Sequence, residues 1–166
     1  MRNLYNEEIV TASDIAQILL REIDKCPSLK LSSKNPDHPM AFSVEKPSNN
    51  LFNTHNDFKL KSIFNKPGVY CIYKEDKPIY LGASDTSIGN RISRFVKEVW
   101  GKSRHDESHP AAKKYRNYFG RGNFESLTVR YVEYKKPNNI NLVSKRKGDD
   151  SIETNLVRVI KPLLNG

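Results

Sequence analysis

The sequence predicts an α+β fold. It is a small domain with a central three-stranded, mainly antiparallel sheet flanked by helices, plus an N-terminal helical and irregular extension. Three observations carry this expectation. Two short β-rich stretches, 68–73 and 78–81, are separated by a polar turn and read as a hairpin. Apolar residues at helical spacing mark 88–100 and 152–160. Residues 27–57 hold Pro27, Pro36, Pro39 and Pro47 among many Ser and Asn, with little periodicity.

The elements follow in chain order. Residues 11–25 read as a helix, with Thr11 or Ser13 as its cap and Ile15, Ile18, Leu19 and Ile23 as its buried stripe. Pro27 ends it, and 27–57 reads as a long irregular connection or a substrate-facing arm. Gly68–Tyr73 and Pro78–Leu81 form the hairpin across the turn Lys74–Lys77. Ile88–Trp100 is a helix with Ile92, Phe95, Val96 and Val99 inward and Arg91, Arg94 and Lys97 towards the other side. Residues 101–110 read as a polar loop. Ala111–Phe119 is a short basic helix that Gly120 ends, and Gly120–Gly122 marks a turn. Leu127–Tyr134 alternates as a third strand. A loop with the basic run Lys145-Arg146-Lys147 leads to a last helix, 152–160, with Ile152, Leu156, Val159 and Ile160 inward and Pro162 beyond its end. The expected division is 1–65 as helix and arm and 66–166 as the functional domain.

Composition narrows the partner. The 166 residues hold 28 Lys+Arg against 19 Asp+Glu, a formal net charge of +9, and mean hydropathy is -0.69. Residues 1–66 carry nine basic and eight acidic side chains, and 67–166 carry nineteen and eleven. The excess sits in the last hundred residues, which favours a phosphate-bearing partner over a generally basic surface. No apolar run reaches the ~18–20 residues that span a bilayer, and no signal-peptide core is present. Two cysteines are too few for a disulfide framework. The expectation is a soluble, cytoplasmic protein that binds no membrane. Cys71, alternating within a strand, is expected to be buried and inert.

Four features of the basic half form an ordered set: Gly68-Val69-Tyr70, then Tyr80-Leu81-Gly82 across the hairpin, then Arg91 near the start of the next helix, then Glu153 near the start of the last, with Asn165 close behind. Phosphodiester hydrolysis asks for such groups. An Arg fork suits a pair of phosphate oxygens. A lone carboxylate can hold one Mg²⁺ while water and phosphate oxygens fill the other positions. A tyrosine hydroxyl, with an ordinary pKa of about 10, must be helped by a cation or a neighbour before it acts as a base.

In these residues, across about 66–166, the chain resembles the GIY-YIG nuclease family. The resemblance implies a divalent-metal-dependent DNA endonuclease with one Mg²⁺ or Mn²⁺ per active site. Arg91 would hold the scissile phosphate, Glu153 the metal, and Asn165 would support the site. Tyr70 or Tyr80 would help to activate water, and which of them does so is open. A stand-alone domain of this kind is similar to small type II restriction enzymes, which meet double-stranded palindromic DNA as symmetric dimers. A phage or mobile-element nuclease, or a repair nicking enzyme, would share the core. Arg94, Lys97, Lys113, Lys114, Lys145, Arg146 and Lys147 are the candidate DNA contacts.

Each residue also has an ordinary role open to it. Strand tyrosines commonly pack in cores, Gly68 and Gly82 can mark strand ends, and Arg91 can lie on a solvated face. Glu153 fits a capping box that returns to the Asp150 amide. Two positions depart from the family pattern. Ala83 stands where many relatives have Lys, and Phe95 where some have His one turn after the Arg. Lys77, His105, His109 and Lys113 are the candidates to replace them. The pair His105 and His109, with no cysteine nearby, reads as part of a polar loop rather than a zinc site. The departures motivate a second reading, a nucleic-acid-binding module of the same fold without cleavage. A third is an adaptor for RNA or an acidic protein.

Overall fold

The computed structural model describes residues 10–26, 28–33, 42–45, 51–53, 66–100, 109–146 and 148–165. They form an α+β fold with helices α1 (Ala12–Lys25), α2 (Ile88–Trp100), α3 (Pro110–Phe119) and α4 (Ile152–Ile160). The strands are β1 (Leu29–Ser33), β2 (Phe42–Glu45), β3 (Leu51–Asn53), β4 (Gly68–Lys74), β5 (Lys77–Ser84) and β6 (Leu127–Glu133). All pair antiparallel in the order β3-β2-β1-β6-β4-β5.

The sheet is therefore wider than the three strands expected. Within 27–57, the described segments are strands rather than an irregular arm. Leu29 and Lys30 pair with Val129 and Thr128 of β6, and β2 and β3 continue outwards from β1. Pairing onto a formed sheet supplies the hydrogen bonds that local propensity does not signal. Buried Leu29 and Leu31 join the same core as Tyr70 and Ile72, so the described strands before residue 66 and those after it share one sheet.

The sheet has a core on each face. On one, α2 and α3 cover Tyr70, Ile72, Tyr80, Leu127 and Val129. On the other, α1 and α4 cover Val69, Cys71, Leu81 and Ala83. Strand alternation sends Tyr70 to the first face and Cys71 to the second. Cys71 is fully buried, as expected, and burial pushes its thiol up to about 12.

Thr11 caps α1 in a reciprocal box with Asp14. Two expected core positions lie outside. Ile18 is 50% and Val159 49% exposed. Ile15, Leu19 and Ile23 share one narrow arc of α1, with Ala12 and Ala16 beside it, and Ile18 falls on its other flank. Val159 lies beyond the arc of Ile152 and Leu156, while Ile160 packs at the core's edge.

The hairpin turn is tighter than the four residues expected. Glu75 and Asp76 both have positive φ, the two-residue turn that matches strand twist. Gly120 is the C-cap of α3, and Gly120 and Gly122 both have positive φ. Among the described residues, no helix is long and apolar enough to cross a membrane.

Candidate active site

The hairpin places the two tyrosines. Tyr70 pairs with Gly82 and Ile72 with Tyr80, so both phenols lie on the face that α2 covers. Their ring centroids are 6.1 Å apart at 53°. Gly82 is a glycine because of Tyr70: a methyl there would lie 2.5 Å from both Tyr70 Cζ and Oη. The YLG tripeptide thus makes room for the first tyrosine and carries the second.

Helix α2 starts from a short polar link after β5. Ser84 Oγ accepts from the Thr86 and Ser87 amides, and Ser87 Oγ from the Asn90 amide. Arg91, in the first turn, faces both phenols. Burial raises the Tyr70 pKa well above its ordinary value, Tyr80 adds to this, and Arg91 opposes it. Burial also raises Tyr80, again against Arg91. Arg91 also acts on both phenols, and Tyr70 on Tyr80, as a side-chain hydrogen-bonding neighbour, but Tyr70 Oη and Arg91 Nε, both buried, have no partner in full hydrogen-bonding geometry.

Glu153 comes from the opposite helical layer at the same end of the sheet. Its Oε1 accepts from the Ser144 amide at 3.1 Å. Burial raises its pKa, and the Ser144 amide and Arg91 pull it back, while Asp85 raises it further. The same carboxylate acts on Tyr70 and Tyr80. The structure therefore brings Tyr70, Tyr80, Arg91 and Glu153 within electrostatic reach of one another, from β4, β5, α2 and α4.

The capping box that was the ordinary alternative for Glu153 is not formed. Ser151 is the N-cap of α4 and accepts from Thr154 N, so Glu153 is not needed for the cap. Ser144, Ser151 and Thr154 link their hydroxyls beside it, including a close Ser144–Thr154 contact. Asn165 pairs with the backbone of Leu81, with Oδ1 accepting and Nδ2 donating, each at 2.8 Å. This holds the C-terminal tail against β5 next to Tyr80.

A cleft of about 350 Å³ opens beside Tyr80 and Arg91, lined also by His109, Lys114, Leu164 and Asn165 among others; Tyr70 and Glu153 do not line it. His109 is not in a polar loop. It is 3% exposed and is the N-cap of α3, which begins at Pro110. Its ring lies 5.0 Å from that of Tyr80 and 5.5 Å from that of Phe95. The polar-residue-then-proline order at 109–110 is the local signal that marks it as a helix start. Glu98, which the sequence reading passed over, holds it in place: Glu98 Oε1 accepts the His109 amide and Oε2 pairs with Arg116 at 2.6 Å.

The candidate DNA contacts spread around the site. Lys114 lines the cleft and Lys113 is exposed beside it. Arg94 and Lys97 are partly buried on α2. Lys145 and Arg146 are exposed in a turn whose amides donate to Asp149 Oδ2, directly after Ser144. Lys147 and His105 lie outside the described residues, and Lys77 is exposed at the far end of the hairpin.

Among the described residues, no group of three or more His, Cys, Asp or Glu could hold a metal. Glu153 is the donor present. A carboxyl raised by burial, with Asp85 adding negative charge, is a place where a divalent cation would relieve the cost of ionisation. This suits Mg²⁺, which keeps several waters and takes one or two carboxylates, better than a metal that needs a full protein cage.

Comparisons with protein-family models, with curated proteins and with solved structures find no match.

Proposed function

We propose that this chain is a divalent-metal-dependent DNA endonuclease of GIY-YIG type, of the kind found in small restriction enzymes. One observation carries the reading. Four buried side-chain atoms lack a hydrogen-bond partner among the described residues, and three of them, Tyr70 Oη, Arg91 Nε and His109 Nε2, belong to this cluster. Buried polar groups are nearly always satisfied, and unsatisfied ones together mark a place built to receive a polar ligand. The ligand that suits a half-buried Arg beside a basic cleft is a phosphate.

In this reading Arg91 binds the scissile phosphate through its guanidinium and neutralises charge that grows in the transition state. Tyr70 and Tyr80 line the approach of the attacking water. Arg91 favours the ionised form of both phenols, and burial opposes it, so neither ionises at neutral pH unaided. Glu153 would hold Mg²⁺ or Mn²⁺, which when bound supplies charge stabilisation for the leaving oxygen. Asn165 is a positioning residue: it fixes the β5 backbone beside Tyr80. Lys113, Lys114, Lys145 and Arg146 would track the DNA backbone. A homodimer on a palindromic site is the assembly this reading favours.

Incubation with supercoiled plasmid and Mg²⁺ tests the proposal. Discrete nicked or linear products that EDTA abolishes support it. A second reading, binding without cleavage, is favoured by Ala83 and Phe95, and predicts salt-dependent retardation of plasmid with no product.

A further inference from the structure

The two nitrogens of His109 have different surroundings. Nδ1 accepts from the Ala112 amide at 3.3 Å, as the cap of α3. An accepting imidazole nitrogen carries no proton, so in the neutral ring the proton is on Nε2. Nε2 is buried and has no partner. The ring stands edge-on to Tyr80 at 72° and Phe95 at 88°, and the Glu98 carboxylate holds its backbone amide. Swinging the ring would break the cap and both aromatic contacts. Burial, and then the positive charge of Arg91, bring its pKa down to about 4, so the ring is neutral at pH 7. His109 lines the cleft together with Arg91, Lys114 and Asn165.

We propose that His109 donates its Nε2–H to a non-bridging oxygen of the phosphodiester that Arg91 holds. The inference rests on the reading of the cleft as a phosphodiester site. Arg91 and Arg94 act to keep the ring uncharged, against the Glu98 carboxylate, which is itself paired with Arg116, and Lys114 shares the cleft. The ligand that satisfies an N–H in that setting is an anionic oxygen. A protonated Nε2 cannot accept a proton, and giving it up would leave an imidazolate. His109 is therefore neither general base nor general acid. It is a fixed dipole that orients the phosphoryl group while Arg91 supplies charge.

Two variants separate the donor from the cap. His109→Asn keeps a good cap acceptor and removes the donor. His109→Gln keeps an N–H near the Nε2 position and weakens the cap. With the full chain and Mg²⁺, His109→Asn is expected to lower single-turnover plasmid nicking about 100-fold, and His109→Gln less than about 10-fold, although His109→Gln melts at the lower temperature. A merely structural role predicts the reverse order. In parallel, ¹⁵N NMR of the wild-type imidazole, with dimethyl phosphate as probe, reads the contact without catalysis. The expected result is an Nε2-protonated ring whose Nε2 signal moves saturably.

A ring protonated on Nδ1, an Nε2 signal that dimethyl phosphate leaves in place, or wild-type nicking by His109→Asn overturns the proposal, even where the wild type cuts DNA. A moving signal with no nicking by the wild type supports the phosphate contact and removes the nuclease reading instead.

Discussion

Asn165 satisfies both backbone groups of Leu81 with one side-chain amide, accepting from its N–H and donating to its C=O at 2.8 Å each. Leu164 N also donates to Ile79 O at 2.7 Å. The tail thus covers the outer edge of β5, and the amide acts as a short stretch of partner strand. Asn165→Ala removes two hydrogen bonds at once and is expected to destabilise the fold by about 2 kcal/mol, read as a lower urea midpoint with unchanged slope. Asn165→Asp, which cannot donate to Leu81 O when ionised, is expected to cost at least as much.

Gly82 and Tyr70 are coupled by sterics. A methyl at 82 would lie 2.5 Å from the Tyr70 hydroxyl and ring. Gly82→Ala is expected to destabilise by about 2 kcal/mol through overpacking. In a Tyr70→Ala background the same change is expected to cost much less. A double-mutant cycle checks the coupling, and additivity would show that the ring is not what Gly82 accommodates.

His109 sets a pH dependence of stability. Its pKa is about 4 in the folded chain against an ordinary 6.5. Above pH 6.5 both folded and unfolded chains hold it neutral. As pH falls from there, the unfolded chain takes up the proton first, and stability drops until pH reaches the folded value. The wild type is expected to lose on the order of 3 kcal/mol across this window from His109 alone. His109→Asn removes that component, so the difference between their urea-unfolding curves against pH isolates it.

Glu98 is 4% exposed, and its carboxylate serves Arg116 and the His109 amide together. Glu98→Gln leaves Arg116 facing a neutral amide and is expected to cost about 3 kcal/mol, as for other buried pairs with one partner removed. It also loosens the N-cap that aims His109, so nicking is expected to fall more than folding does. Activity measured below the variant's melting range separates the two effects.

The sequence made much of this visible, and the misses have physical causes. Helices α2 and α4 were legible at their bounds because their apolar residues repeat at helical spacing. The hairpin was legible because Gly, Tyr and β-branched residues alternate around a polar turn. The strands within 27–57 were not, since they are short and draw their stability from pairing, β1 with β6, β2 with β1 and β3 with β2, rather than from their own residues. Tyr70, Tyr80, Arg91 and Glu153 were chosen through the family resemblance that their order carries. Their mutual reach depends on two helical layers meeting at one end of the sheet, which spacing does not encode. His109 was read within a loop because its neighbours are polar; its burial comes from α2 and β5, which lie far from it in sequence.

The most direct test of the central claim compares cutting with binding in the same preparations. Wild type, Arg91→Ala and Glu153→Gln are assayed for Mg²⁺-dependent plasmid nicking and for duplex affinity at two salt concentrations. The account predicts that both variants lose about 100-fold or more in nicking yet still bind duplex with a similar salt dependence. Nicking by either variant at the wild-type rate, or binding by all three with no cut product, would contradict it.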